Sequence, residues 1–235
     1  YYLQYAAPGT LFKTYADGVY TSDSPLGPFS YEDYSPFSYK PGGFAGGAGH
    51  SSTFQDNYGN YWHISTMSIS VRHMFERRLG LFPAAFDKEG VLRTFTAFGD
   101  YPTIMPDHKI NFENGDLFAG WMLLSYKKNA EASSAMENYP VIHAFDEDIR
   151  TWWSASTGES GEWLSVELDD NSTVNAIHVN FAVNESNLKP DSKNIYYCYR
   201  ILASDDGKSW DIIADKSNNT ADACHDFIEL DLPVK

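Results

Sequence analysis

Short aromatic and β-branched runs, each closed by a turn signal within a few residues, constrain this chain more than any other feature. The punctuation falls at Pro8-Gly9, Asp17-Gly18, Pro41-Gly42-Gly43, Gly59-Asn60, Glu89-Gly90 and Asp206-Gly207. Glycine and proline at such spacing favour strands joined by tight turns. A sustained 3.6-residue apolar period is missing, and a single helical turn is expected at 140–145. Residues 163–168 alternate apolar and polar; so do 174–181, with Val174, Ala176, Val179 and Phe181 facing inward around a slip at Ile177. An all-β chain is the expectation. Both ends read as strand interior, Tyr1-Tyr2-Leu3-Gln4-Tyr5 and Phe227-Ile228-Glu229-Leu230-Asp231-Leu232, which predicts a piece cut from a longer polypeptide.

Hydrophobic residues make up 43% of the 235, enough to build a core and exclude a disordered chain. The net charge of −15 repels phosphate backbones and anionic lipid, which argues against a nucleic-acid or membrane-surface partner. No apolar run approaches bilayer length: the best candidate, Trp121 to Leu124, has four residues. Cys198 and Cys224 leave two readings open, a disulfide or two reduced thiols. No leader segment can be read ahead of Tyr1.

The first hundred residues contain a repeat. Tyr2-Leu3-Gln4-Tyr5-Ala6 is echoed by Trp62-His63-Ile64-Ser65-Thr66 at an offset of 60, and Val19 matches Leu79 at the same offset. Strand pairs recurring at about 40–50 residues or somewhat more mark propeller blades, which bury their faces only against neighbouring blades. Past residue 106 the composition turns polar, so 107–120 is expected to be a linker. Residues 121–235 then carry the strand spacing of a β-sandwich.

Two resemblances follow. Residues 1–106 resemble the last blades of the five-bladed β-propeller of glycoside hydrolase family 43. The match lies in Tyr15-Ala16-Asp17-Gly18-Val19-Tyr20, Ser22-Asp23-Ser24-Pro25-Leu26-Gly27-Pro28-Phe29, Gly47-Ala48-Gly49-His50-Ser51-Ser52, Tyr58-Gly59-Asn60-Tyr61-Trp62-His63 and Arg77-Arg78-Leu79-Gly80-Leu81-Phe82-Pro83. Residues 121–235 resemble the discoidin, or coagulation-factor type C, sandwich, a jelly roll used in bacteria as a family 32-like carbohydrate-binding module. Its marks are the run 144–153, Glu162-Trp163-Leu164-Ser165-Val166-Glu167-Leu168 and Ser204-Asp205-Asp206-Gly207-Lys208-Ser209-Trp210. The sandwich is expected to be truncated after Leu232.

The first resemblance implies inverting hydrolysis of arabinose- and xylose-containing plant polysaccharides. That chemistry needs an acid and a base about 6.5–9.5 Å apart, with water between them. In the family the three carboxylates come from earlier blades, so this segment is expected to hold no catalytic residue and to need the missing N-terminal blades of its own chain. His50 matches a histidine that helps hold a hydrated calcium ion in the central channel, through water because calcium favours oxygen ligands. Arg77 matches an arginine whose guanidinium fork suits sugar diols; Phe44 is a candidate floor for a sugar ring. Lone residues of these types also serve as turn, surface or core positions.

In the sandwich, Asp146, Asp148 and Thr151 match a loop that wraps calcium, with Glu147 standing where the family usually has glycine. Tyr139 and Trp152 are candidates to stack on a pyranose face, while Trp153, Trp163 and Trp210 read as core. The resemblances together imply a secreted, periplasmic or cell-surface bacterial glycosidase with an appended binding module, acting on an oligo- or polysaccharide. A propeller that has lost catalysis and only binds glycan is the alternative; an adhesion module is a third reading.

Overall fold

The structure, a computed structural model, describes residues 1–235 except 11, 70–76, 99, 115, 117, 169–171, 184–194 and 235. Its regular elements are strands, with three short 3-10 turns and no α-helix among the described residues. The expected helical turn is one of these, Val141–Ala144, entered from Pro140 with extended backbone and closed at Phe145.

Eight strands form two antiparallel sheets. β1 (Tyr2–Ala7) pairs with β2 (Ala16–Thr21), which pairs in turn with the short β3 (Ser30–Tyr31) and β4 (Ser38–Tyr39). The second sheet runs in order β5 (Gly46–Gln55), β6 (Tyr61–Ser68), β7 (Arg77–Phe86) and β8 (Leu92–Thr94). β1–β2 and β6–β7 are the repeated hairpins. Gln4 faces Val19 and Ile64 faces Leu81, so the offset of 60 on the first strand becomes 62 on the second. Val19 therefore corresponds in register to Leu81, not to Leu79.

The sheets pack on each other through Val19 and Phe37 from one and Ala84 and Leu92 from the other. Tyr2 meets Phe86 edge-on with ring centroids 4.9 Å apart. Burial of such side chains contributes about 1.5–3 kcal/mol each, which is what holds one sheet on the other.

The dipeptide Asp17-Gly18, read as a turn signal, lies inside β2. Gly18 is paired directly with Tyr5, and a β-carbon there would come within 2.5 Å of the tyrosine ring. The glycine clears space for a cross-strand aromatic. By contrast, Gly59-Asn60 and Glu89-Gly90 do turn the chain, with positive φ at Gly59 and Gly90. Asp56 secures the first of these turns by accepting from the amides of Tyr58 and Asn60 and from the Trp62 indole, each at 2.9 Å. These donors hold the Asp56 carboxyl below the usual range, outweighing the upward push of burial.

The stretch expected as a linker lies against the second sheet. Asn60 donates to the His108 carbonyl and accepts from the Ile110 amide, while Ile110 and Phe118 cluster with buried Trp62.

Beyond it stand three antiparallel ribbons: β9 (Ala130–Ala132) with β10 (Leu164–Val166), β11 (Val174–Asn180) with β14 (His225–Val234), and β12 (Arg200–Ala203) with β13 (Asp211–Asp215). Ile177, the expected site of a slip, pairs in regular register with Ile228; the register shift falls earlier, between Val174 and Ala176. Trp153, read as core, is half-buried and donates its indole N–H to the Ser134 carbonyl at 2.9 Å. Trp163 and Trp210, read as core, are instead 49% and 48% exposed. An alternating pattern marks which residues share a face but not whether that face is covered. Cys198 is exposed and Cys224 buried, and no disulfide joins them. No helix among the described residues is long and apolar enough to cross a membrane.

Candidate functional site

His50 sits where β5 leaves regular pairing. The β5–β6 register shifts between Gly47 and Gly49 and again between Gly49 and Ser52. Such bulges re-aim a side chain out of the ladder. His50 takes the left-handed conformation, φ 57°, and its side chain is exposed. The flanking glycines do what close packing requires: a β-carbon on Gly49 would meet the Tyr15 ring at 2.9 Å. The His50 amide donates to Asp17 Oδ1 at 3.0 Å.

Arg77 opens β7 opposite Ser68, half-buried, at the end of the sheet that also carries the β5 bulge. With Thr66, Arg78 and Leu79 it lines a shallow cleft of about 410 Å³. Phe44 packs against Ala45, Ala48, Met67 and Phe82, and its ring meets His225 of β14 edge-on at 6.3 Å. The structure therefore places Phe44 where the second sheet meets the C-terminal ribbons.

The sandwich candidates come together in one turn. Asp146 Oδ1 accepts the Asp148 amide at 3.0 Å, and Asp146 Oδ2 accepts the Thr151 hydroxyl at 2.7 Å. Glu147 has φ 60°, the left-handed conformation a glycine would adopt without strain. Asp148 Oδ1 accepts the Arg150 amide at 3.0 Å and forms an ion pair with Lys13 at 2.8 Å. Burial pushes the Asp148 carboxyl up, and Lys13 with the Arg150 amide more than offsets this, so it lies below the usual range. Glu147 moves the other way: burial and the Asp100 charge raise it, against the Tyr101 hydroxyl that donates to it at 3.2 Å. Among the described residues, no three His, Cys, Asp or Glu side chains are grouped to hold a metal ion.

This turn delivers Trp152 to Tyr139. The rings stack with centroids 5.1 Å apart and planes 28° from parallel. The two loops are laced by backbone bonds from Met136 N to Ser154 O and from Ser154 N to Tyr139 O. Glu162 ties the neighbouring loop, accepting from the hydroxyls of Ser133, Ser134 and Thr157. These hydroxyls pull its carboxyl down to about 2.

Sequence reasoning passed over Lys13, Asp17, His63 and Tyr101. Asp17 and His63 stood inside quoted motifs, but only their burial, 1% and 0% exposed, reveals a role. No local signal pairs Lys13 with a loop 135 residues later, or Tyr101 with the same loop 46 residues later.

Residues 129–235 match the F5/8 type C domain family. No curated protein matches the chain. Three solved structures are similar over 40% of this chain. One is the GH43B protein of the Bacteroides ovatus xyloglucan locus, at 23% identity, 20% of its length and TM-score 0.36. Another is the GH43 protein BlXynB of Bacillus licheniformis, at 20% identity, 19% of its length and TM-score 0.36. The third is an endo-1,4-beta-xylanase of Bacteroides thetaiotaomicron, at 25% identity, 33% of its length and TM-score 0.34. The chain thus spans between a fifth and a third of the proteins it resembles.

Proposed function

We propose that this chain is the glycan-holding end of a secreted, periplasmic or cell-surface bacterial hydrolase of family 43 type. Residues 129–235 form its sugar-binding module, and the two sheets are closing blades that act with the missing N-terminal blades of the parent. The observation that carries the reading is the F5/8 type C match, which contains the stacked Tyr139–Trp152 pair beside an acidic turn. Stacked aromatics suit the apolar C–H face of a pyranose or furanose ring, and hydroxyls are read by nearby carboxylates. A tethered module raises the local concentration of polymer around an active site.

The aromatic row Tyr5, Tyr20 and Tyr31 on the first sheet supports a preceding blade. Tyr31 is 49% exposed, an uncovered aromatic surface of the kind a neighbouring blade buries. In the parent, arabinose- or xylose-containing polysaccharide would be cut with inversion by carboxylates from earlier blades, while His50 and Arg77 face the sugar site from the last one. Calcium fits the acidic turn by donor chemistry: Asp146, Asp148 and Thr151 offer hard oxygens, and the ion would neutralise charge that Lys13 now partly balances. His50 would contact a channel calcium through water.

The test is hydrolysis by the parent protein on nitrophenyl arabinofuranoside and xyloside. Turnover supports the hydrolase reading. Glycan affinity without turnover favours a protein that only binds.

A further inference from the structure

We infer that Asp17 and His63 are a positioning pair, built into the wall between the two sheets to hold His50 in its strained, outward-facing conformation. This rests on the reading of His50 as a site residue and names the groups that set its geometry.

The pair is costly to keep. Asp17 is 1% exposed and His63 0%, and two ionisable groups withdrawn from water are seldom stabilising compared with apolar residues of the same size. His63 Nε2 lies 3.5 Å from Asp17 Oδ2, a close approach without a hydrogen bond, and neither atom has a hydrogen-bond partner among the described residues. The edge of the Phe37 ring closes over the imidazole at 5.0 Å.

The neighbours of His63 suit one tautomer. Gln4 Nε2 donates to Thr53 Oγ1 at 2.9 Å, and Thr53 Oγ1 lies 2.9 Å from His63 Nδ1. With the ring proton on Nε2, Nδ1 accepts the Thr53 hydroxyl and the N–H is on the side of the Asp17 carboxylate, 3.5 Å away. The carboxylate's other oxygen accepts the His50 amide at 3.0 Å.

The chain of contacts runs β1, β5, β6, β2 and back to β5, crossing between the sheets at Gln4–Thr53, His63–Asp17 and Asp17–His50. It ends on a non-glycine residue at φ 57°, next to a bulge, with an exposed imidazole. Left-handed backbone at such a residue persists only where its surroundings over-determine it, and it concentrates where a side chain must be presented. If the pair served packing alone, an apolar pair would do better and His50 would have no need of positive φ. Asp17 is thus a positioning residue for His50, and His63 fixes which way the Asp17 carboxylate turns.

The test uses isotope-labelled chain and nuclear magnetic resonance on wild type, Asp17→Asn and the double variant Asp17→Leu/His63→Leu. The expected result for Asp17→Asn is a change in His63 ring tautomer, because the new amide N–H₂ opposes Nε2–H. The His50 amide should exchange about tenfold faster or more, while amides of β6 and β7 keep their protection. The double variant should unfold at the same or higher temperature yet lose the His50 α- and β-carbon shifts that report positive φ. Unchanged His50 exchange and shifts in Asp17→Asn would overturn the proposal, whether or not the double variant folds. The reading of His50 itself is checked separately, by His50→Ala in the parent: full glycan turnover there would remove the site while leaving the positioning result standing.

Discussion

The ammonium of Lys13 lies 2.8 Å from Asp148 Oδ1, so a residue between the first two strands grips the acidic turn of the F5/8 type C region. A second grip comes from Tyr101, whose hydroxyl donates to Glu147 in the same turn. The turn that would bind a cation is therefore already served by a lysine. Both partners are partly exposed, at 26% and 37%, and such a pair contributes about 0.2–1 kcal/mol.

Removing that lysine should favour a metal ion. In Lys13→Gln, calcium affinity measured by titration calorimetry is expected to rise about two- to tenfold, since a competing positive charge has gone. Equal affinity in both proteins would show that Lys13 and calcium do not share the turn.

The Asp56 turn is a stability determinant. Asp56→Ala leaves the indole N–H of fully buried Trp62 and the Asn60 amide without their acceptor. Urea unfolding is expected to show a loss of about 2 kcal/mol or more, the cost of orphaned buried donors. A loss under about 0.5 kcal/mol would place those donors in water instead.

Acid should act through Glu162. Its folded-state carboxyl lies at about 2 against an ordinary value of 4.5, so the carboxylate favours the native state above that ordinary value. The contribution falls away as pH drops from 4.5 through about 2. Melting temperature in that window is expected to fall more steeply in wild type than in Glu162→Gln. Parallel curves would mean the Ser133, Ser134 and Thr157 hydroxyls bind the amide as well as the carboxylate.

His50 should be a residue the fold would rather not have. His50→Gly relieves left-handed strain, and thermal unfolding is expected to show a gain of about 1 kcal/mol. A loss of that size would make the imidazole itself a structural contact.

Much of this was legible from local chemistry. The strand run 227–232 carries its own alternation, and the turns at Gly59 and Gly90 are fixed by aspartates three residues upstream. Turn chemistry is local, so it survives in sequence. Asp17-Gly18 misled because its glycine answers to Tyr5, a partner on another strand. The repeat offset slipped because the second hairpin pairs two positions further along. The motifs drew attention to His50, Asp146, Asp148 and Thr151. The groups that hold them, Asp17 and Lys13, act over 33 and 135 residues, a distance no periodicity reports.

The most direct measurement is glycan binding by residues 1–235 and by Trp152→Ala, using calorimetry with xylo- and arabino-oligosaccharides. Trp152 stacks on Tyr139 and both are half-buried, so truncation should leave the fold intact while removing one ring of the platform. The expected result is saccharide binding by the wild-type chain, weakened about tenfold or more in the variant, as loss of an aromatic platform implies. A folded wild-type chain that binds none of these saccharides, or a variant that binds them equally well, would contradict the account.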